Sequence, residues 1–303
     1  MGKVYRKQRI EGVTVPAVIH NGQYFWLNMA VYEDGTVSCW NKTDLSDVPY
    51  QLSRGWLTPF VPEGKGLSIY GLCWLEIVKA DWSFDKDSYY KFIQKTVRSL
   101  NPEMANIYKT TDREKAKWKD YRVAFTADPT PCKIGGKFGY QLLDGDSVNI
   151  LLRNDGKITL TQMNIYADET FSIDALGEQF FTPQEIEKMF KDKTLCTSVE
   201  DGERVSFGAL GSAECKTVSS TKPSEKLKEI REKSLRVQNK PDAHERCQRA
   251  YHAYLVEPSA FNKEQLRKAY EEVPEHERIY LGDMDTRNTD FERILYTDEK
   301  REV

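Results

Sequence analysis

Histidine is scarce in this sequence, with four residues in 303. None of the six cysteines, Cys39, Cys73, Cys132, Cys196, Cys215 and Cys247, belongs to a C-x-x-C pair. Structural zinc needs closely spaced nitrogen and sulfur ligands, so no zinc module is expected. The cysteines read as reduced, mostly buried thiols. No stretch approaches the roughly 18 apolar residues of a membrane-spanning helix. The first residues, Met1 to Arg9, lack the apolar core of a secretory signal. They also lack the serine or threonine that a myristoylation site carries at position six. A cytoplasmic protein without a membrane anchor is expected.

Neither charge sign dominates. There are 44 basic and 47 acidic residues, a net charge of -3. A general nucleic-acid binder carries a basic excess, so nucleic acid is not the expected partner. The basic start, Lys3, Arg6, Lys7 and Arg9, is the one feature on the other side of that argument. A phosphate-binding loop is missing as well. In Lys133-Ile134-Gly135-Gly136-Lys137-Phe138-Gly139-Tyr140 the glycine spacing is wrong and the following residues read as a strand. No cofactor is expected.

What the chain does contain is a repeat. The stretch from Asn21 to Trp40 recurs from Asp155 to Ser172. Gly22, Met29, Tyr32, Asp34, Thr36 and Ser38 fall on Gly156, Met163, Tyr166, Asp168, Thr170 and Ser172, and His20 falls opposite Asn154. A second block follows in the same order, with Val61, Gly64, Ser68 and Leu72 identical to Val199, Gly202, Ser206 and Leu210. Alternating apolar residues around Asn21-Gly22 and Asp34-Gly35 predict a three-stranded antiparallel meander. A short helix is expected from Asp44 to Leu52. A longer one, capped by Asp85 or Asp87, carries Tyr89, Phe92, Ile93, Val97 and Leu100 at helical spacing. Thr182-Pro183-Gln184-Glu185 has the order of a capped helix start.

The fold class expected is α+β, with two related, mainly antiparallel β modules, packed helices and a helical C-terminal segment. The modules occupy residues 1–108 and 132–218, joined by a connector over 109–131. The second lacks the tryptophans of the first and is expected to lack its long helix. Residues 219–303 form the C-terminal arm and a small module. Glu225 to Val237 has few apolar residues, with Glu229/Lys233 and Glu232/Arg236 four apart. It reads as a solvated arm or as a helix packed by another chain. Asp242 and Asn262 are the expected caps of the next two helices.

Tyr24, Trp26, Trp40 and Trp56 crowd the first module and offer a protein-binding face, since aromatics and arginine dominate interface hot spots. Lys228, Arg231 and Arg236 on the charged helix join them as candidate protein-binding residues. For chemistry the candidates are weaker. Asp283, Asp285 and Asp290, with Asn288, offer oxygen ligands for Mg²⁺ or Ca²⁺, outside any EF-hand spacing. They carry the alternative of a metal-dependent hydrolase. His244 and His252 lie near Cys247, the one arrangement suggesting a Cys–His nucleophile. His276, between Glu275 and Glu277, reads as a capping or turn residue.

The series Pro16-Ala17-Val18-Ile19-His20-Asn21-Gly22-Gln23-Tyr24, Val31-Tyr32-Glu33-Asp34-Gly35, Cys39-Trp40, Gly55-Trp56, Val61-Pro62-Glu63-Gly64 and Ser68-Ile69-Tyr70-Gly71-Leu72 resembles an uncharacterised domain family of bacterial and phage proteins. Ala269-Tyr270-Glu271, Val273-Pro274-Glu275-His276 and Leu281-Gly282-Asp283-Met284-Asp285 resemble a second small uncharacterised module. The resemblance transfers no catalytic residue. It implies an accessory role in bacterial conflict systems, and size and layout resemble the Gabija anti-defence proteins of phages. The expectation is a non-catalytic inhibitor of immunity or counter-defence type. It would be a homo-oligomer that masks a surface of a bacterial defence complex such as a nuclease, in the host cytoplasm if phage-encoded.

Overall fold

A computed structural model describes residues 9–119, 130–135, 139–281 and 289–297. The fold is α+β, built on mainly antiparallel strands.

The first copy opens with β1 (Gly12–Asn21) and β2 (Gln23–Tyr32), paired from Gly12↔Tyr32 to Asn21↔Gln23. Gly22 turns the hairpin at φ +72, a region glycine enters without a Cβ clash. Val15, Ala17, Val18 and Ile19 on β1 and Met29 and Val31 on β2 are buried. The meander continues through β3 (Thr36–Cys39) and β4 (Asn41–Asp44). The helix expected from Asp44 starts later, as α1 (Val48–Ser53). Asp44 accepts hydrogen bonds from the backbone N–H groups of Ser46 and Asp47, which holds the chain in a turn instead.

β5 (Leu57–Thr58) returns to β1. β6 (Gly66–Ile69) runs parallel to β2 and antiparallel to β7 (Cys73–Trp82). Asp85 and Ser88 then form a reciprocal capping box for α2 (Lys86–Leu100), which buries Tyr89, Ile93 and Val97 along one stripe. The connector holds α3 (Asp112–Lys119), and β8 (Cys132–Gly135) follows.

The second copy repeats this order as β9 (Gln141–Asn154), β10 (Lys157–Tyr166), β11 (Phe171–Ile173) and β12 (Phe180–Phe181). α4 (Pro183–Lys191) follows with the expected Thr182–Glu185 capping box. Then come β13 (Leu195–Cys196), β14 (Glu203–Ser206), β15 (Gly211–Ser220) and α5 (Pro223–Val237). The registers repeat too. Val18↔Thr58 and Ile19↔Leu57 in the first copy become Leu151↔Cys196 and Leu152↔Leu195 in the second. The parallel pairs Tyr24↔Leu67 and Phe25↔Ser68 become Ile158↔Val205 and Thr159↔Ser206. His20 N–H donates to Trp56 O at 2.8 Å, and Arg153 N–H donates to Thr194 O at 2.8 Å.

Two expectations are corrected by these registers. Arg153, not Asn154, stands where His20 stands, because the turn through Asp155-Gly156 is one residue longer than the turn at Gly22. The second copy also has its long helix. α5 follows β15 as α2 follows β7, and each helix is 15 residues long.

The chain is divided between two compact units. One gathers the described residues of 1–129 with 155–160 and 199–219; the other gathers those of 130–154, 161–198 and 220–303. Strands β14 and β15 of the second copy thus belong to the first unit, where β15 neighbours β7. In the second unit, α6 (Ala243–Val256), α7 (Ala260–Glu272) and α8 (Thr289–Tyr296) share a core of Cys247, Leu266, Tyr270, Val273, Phe291 and Leu295. Asp242 caps α6 as expected, but Ser259, not Asn262, caps α7 by accepting from Asn262 N–H. Among the described residues no helix is long and apolar enough to cross a membrane.

Candidate functional site

The aromatic residues of the first copy separate into a buried and an exposed set. Side chains on a strand alternate between faces. Trp26 is only 6% exposed and packs on Phe207, with ring centroids 5.8 Å apart. It is therefore a core residue, which corrects its assignment to the binding face. Its neighbour Phe25 meets Trp40 at 5.4 Å, and Trp40 meets Trp56 edge-on at 6.1 Å. Trp40 is 54% exposed and sits between β3 and β4 at φ +56. A bulky residue at positive φ is an outlier, because its Cβ crowds the backbone. Trp56 is half-buried, as is Tyr24, whose ring lies 4.4 Å from His20.

Next to Trp56 is a cavity of about 210 Å³. Val37, Cys39, Val48 and Leu57 give it apolar walls; Thr43 and Gln51 add polar groups. Thr43 is 8% exposed, and its Oγ1 is buried without a hydrogen-bond partner among the described residues. Burial pushes the Cys39 thiol up to about 12, so it lines the cavity as a neutral S–H and not as a nucleophile. The sequence carried no sign of this cavity, which depends on residues brought together from β3, β4, α1 and β5.

The charged helix α5 departs most from expectation. It is not a solvated arm. Lys226, Glu229, Ile230 and Glu232 are all buried, and α5 packs on β9. Lys226 Nζ is 2.8 Å from Glu229 Oε2, and His276 Nε2 approaches the same oxygen at 3.4 Å. Glu277 completes a group whose potential ligand atoms lie within 4.8 Å of one another. Burial alone would raise Glu229; Lys226 and His276 outweigh it and hold the carboxylate below the ordinary range. Burial, then the neighbouring Glu229, pushes Glu277 up. Burial lowers Lys226 against the pull of Glu229. Lys226 supplies beside Glu229 the positive charge a metal would otherwise bring, so the group reads as an internal ion network. His276, expected as a turn residue, is a member of it.

The other charges of α5 are also matched within the second unit. Glu232 accepts from Arg246 at 3.0 Å, Lys233 meets Asp146 at 2.9 Å, and Arg236 meets Asp242 at 2.7 Å. Lys228 donates to Glu271 O at 2.6 Å. Arg231 pairs with Glu187 at 2.6 Å while its side chain stays 66% exposed. Of the three basic residues assigned to binding, Arg231 thus reaches furthest into solvent.

Among the described residues the Cys–His candidate does not form a nucleophile. Cys247 is fully buried, and burial pushes its thiol up to about 12. His244 Nε2 is taken up by Tyr280 O at 3.1 Å. Asp290 pairs with Arg293 at 2.7 Å, and Asp283, Asp285 and Asn288 lie outside the described residues, as do Lys3, Arg6 and Lys7.

Residues 1–104 and 135–241 match the model of a domain of unknown function, DUF7638. The chain belongs to the DUF7638 family. The second DUF7638 segment runs past α5, in agreement with the place of that helix in the repeat. Residues 242–302, which hold α6 to α8, match a second domain of unknown function, DUF7639. No curated protein and no solved structure matches this DUF7638 chain.

Proposed function

We propose that this protein is a non-catalytic binding protein that masks a surface of a protein target, with the patch around Trp40 as its anchor. The observation that supports the reading is Trp40 itself, exposed and held at φ +56 between Phe25 and Trp56. Strained backbone of this kind costs about 1–3 kcal/mol and concentrates at functional positions. More than half of the Trp40 surface stays in water and is open to a partner. Large aromatics flanked by polar groups are the usual centre of a protein interface. On α1 of the same copy, Tyr50 is 55% exposed and the Arg54 guanidinium lies 5.5 Å from its ring centroid, the same mixture of residue types.

The target class is a bacterial defence complex, and the site of action the host cytoplasm. Size and layout make the Gabija complex the specific candidate. Self-association into a homo-oligomer belongs to the same reading. The test is affinity capture from a lysate containing such a complex, with the mass of the captured assembly measured by light scattering. Stoichiometric capture that Trp40→Ala weakens at least about tenfold, an effect typical of an interface centre, supports the reading. Capture indifferent to Trp40, or catalytic turnover by the purified chain, overturns it.

A further inference from the structure

We infer that the cavity beside Trp56 is a binding site for one ring-sized, largely apolar group carrying a single hydrogen-bonding function, of the phenol or indole class. Size sets the first limit. A cavity of about 150 Å³ suffices for benzene, whereas sites for larger cofactors run from about 300 Å³. At about 210 Å³ this one takes a ring and a substituent, and not a nucleotide. Chemistry sets the second. Among the described residues no charged side chain lines it, so none of them offers a phosphate or carboxylate a counter-charge there. Thr43, whose Oγ1 is buried and has no partner among the described residues, supplies the hydroxyl that a ligand O–H or N–H would meet once the side chain rotates toward the cavity.

The duplication supplies an internal control. Thr36 and Ser38 align with Thr170 and Ser172, which places Val37 opposite Phe171 and Cys39 opposite Ile173. The buried pair Val48 and Leu52 of α1 corresponds to Ile186 and Phe190 of α4, which places Gln51 opposite Met189. At all three positions the second copy carries a larger or more apolar side chain, and Phe171 and Ile173 are buried. Filling a core cavity stabilises a fold, and satisfying a buried hydroxyl does so too. At these three positions the first copy keeps the smaller or more polar residues, beside Trp56 where the second copy has the smaller Thr194, and it keeps the Thr43 hydroxyl. A ligand would account for both. This argument does not depend on the partner reading.

The experiment is calorimetry and saturation-transfer NMR on the full chain with phenol, indole and toluene. N-acetyl-tyrosinamide and N-acetyl-tryptophanamide form a second arm. Phenol and indole bind saturably to the unaltered protein. Thr43→Val, which keeps the shape and removes the hydroxyl, weakens phenol about tenfold, the weight of one hydrogen bond, and leaves toluene within about twofold. Cys39→Ile with Val37→Phe, copying the second copy, abolishes all binding while circular dichroism and Trp40-dependent capture stay intact. Should that variant fail to fold, Thr43→Val alone decides. Absence of saturable binding, or phenol binding unchanged in Thr43→Val, overturns the inference. Binding of the capped amino acids as tight as the free rings assigns the site to a partner's side chain; binding of the free rings alone assigns it to a small molecule.

Discussion

Lys226 of α5 occupies the place that Tyr89 occupies in α2, the fourth residue of each helix, and both are fully buried. In the first copy Tyr89 donates its hydroxyl to Pro16 O at 2.8 Å. In the second, Lys226 is met by Glu229 at 2.8 Å. One copy fills the position with a neutral ring, the other with an ion pair. Removing one member of a buried pair leaves an uncompensated charge, at a cost of about 3–5 kcal/mol, whereas replacing both with apolar residues is close to neutral. Lys226→Met and Glu229→Leu are each expected to lower stability in that range. The double variant is expected to recover most of the loss. Urea unfolding of the three variants checks this, and a single-variant loss below about 1 kcal/mol would show that the pair contributes little.

Much of the architecture is legible in the sequence, because turns and caps act locally. Gly22 at its hairpin tip, Asp85 at the start of α2 and Thr182-Pro183 before α4 each satisfy nearby backbone groups, and each lies where the pattern puts it. The role of α5 was not legible. Besides Ile230 its buried face consists of Lys226, Glu229 and Glu232, which read as solvated until the tertiary partners His276 and Arg246 are in place. Composition cannot distinguish a charge facing water from one facing a distant counter-charge. The cavity was hidden for a related reason: its walls come from four short elements, and the unpartnered Thr43 hydroxyl is a property of the packing. Of the aromatic patch, Trp40 and Trp56 are adjacent as their crowding suggested, while strand alternation sends Trp26 inward.

Acid should act through Asp44. Its side chain is buried, which alone would raise its pKa. Bonds from Ser46 and from Thr110 N–H, the latter at 2.7 Å, outweigh burial and hold the carboxyl at about 2, against an ordinary 3.8. A pKa depressed in the folded state contributes stability above the unfolded value. That stability is lost as pH falls from about 3.8 through about 2. The shift corresponds to roughly 2 kcal/mol. Asp44→Asn is expected to be less stable at neutral pH and to flatten the acid limb between those values. Unfolding curves taken from pH 5 to pH 2 provide the check; parallel limbs for the two proteins would remove Asp44 from the account.

Trp40 allows strain and binding to be measured apart. Trp40→Gly and Trp40→Ala both delete the exposed ring, so both are expected to lose target capture equally. They differ in backbone. At φ +56 alanine keeps the Cβ clash and glycine does not. The glycine variant is expected to be more stable than the alanine variant by about 1 kcal/mol, reversing the usual order of the two residues. Thermal unfolding of the pair decides it, and alanine as the more stable residue would show that the positive φ is not retained in solution.

Gly211 and Gly156 both have positive φ, at +121 and +72, yet their surroundings differ. A Cβ on Gly156 would meet nothing within 4 Å, so Gly156→Ala carries only the conformational cost. That cost is about 1 kcal/mol. A Cβ on Gly211 would sit 2.2 Å from Asp81 O and 3.1 Å from Ser83 N, both backbone atoms of the segment around the end of β7. Ser83 N–H there donates to Leu210 O at 2.8 Å, and Arg204 reaches Asp81 beside it. Backbone cannot swing aside as a side chain can, so Gly211→Ala must part the chain where the ends of β7 and β15 meet. It is expected to destabilise by more than about 3 kcal/mol, above the usual range for one substitution, and to expose the amides of β7 and β15 to hydrogen exchange while those of α6 and α7 stay protected. A loss no greater than that of Gly156→Ala, with the β7 and β15 amides still protected, would mean that the two strand ends do not hold this close approach.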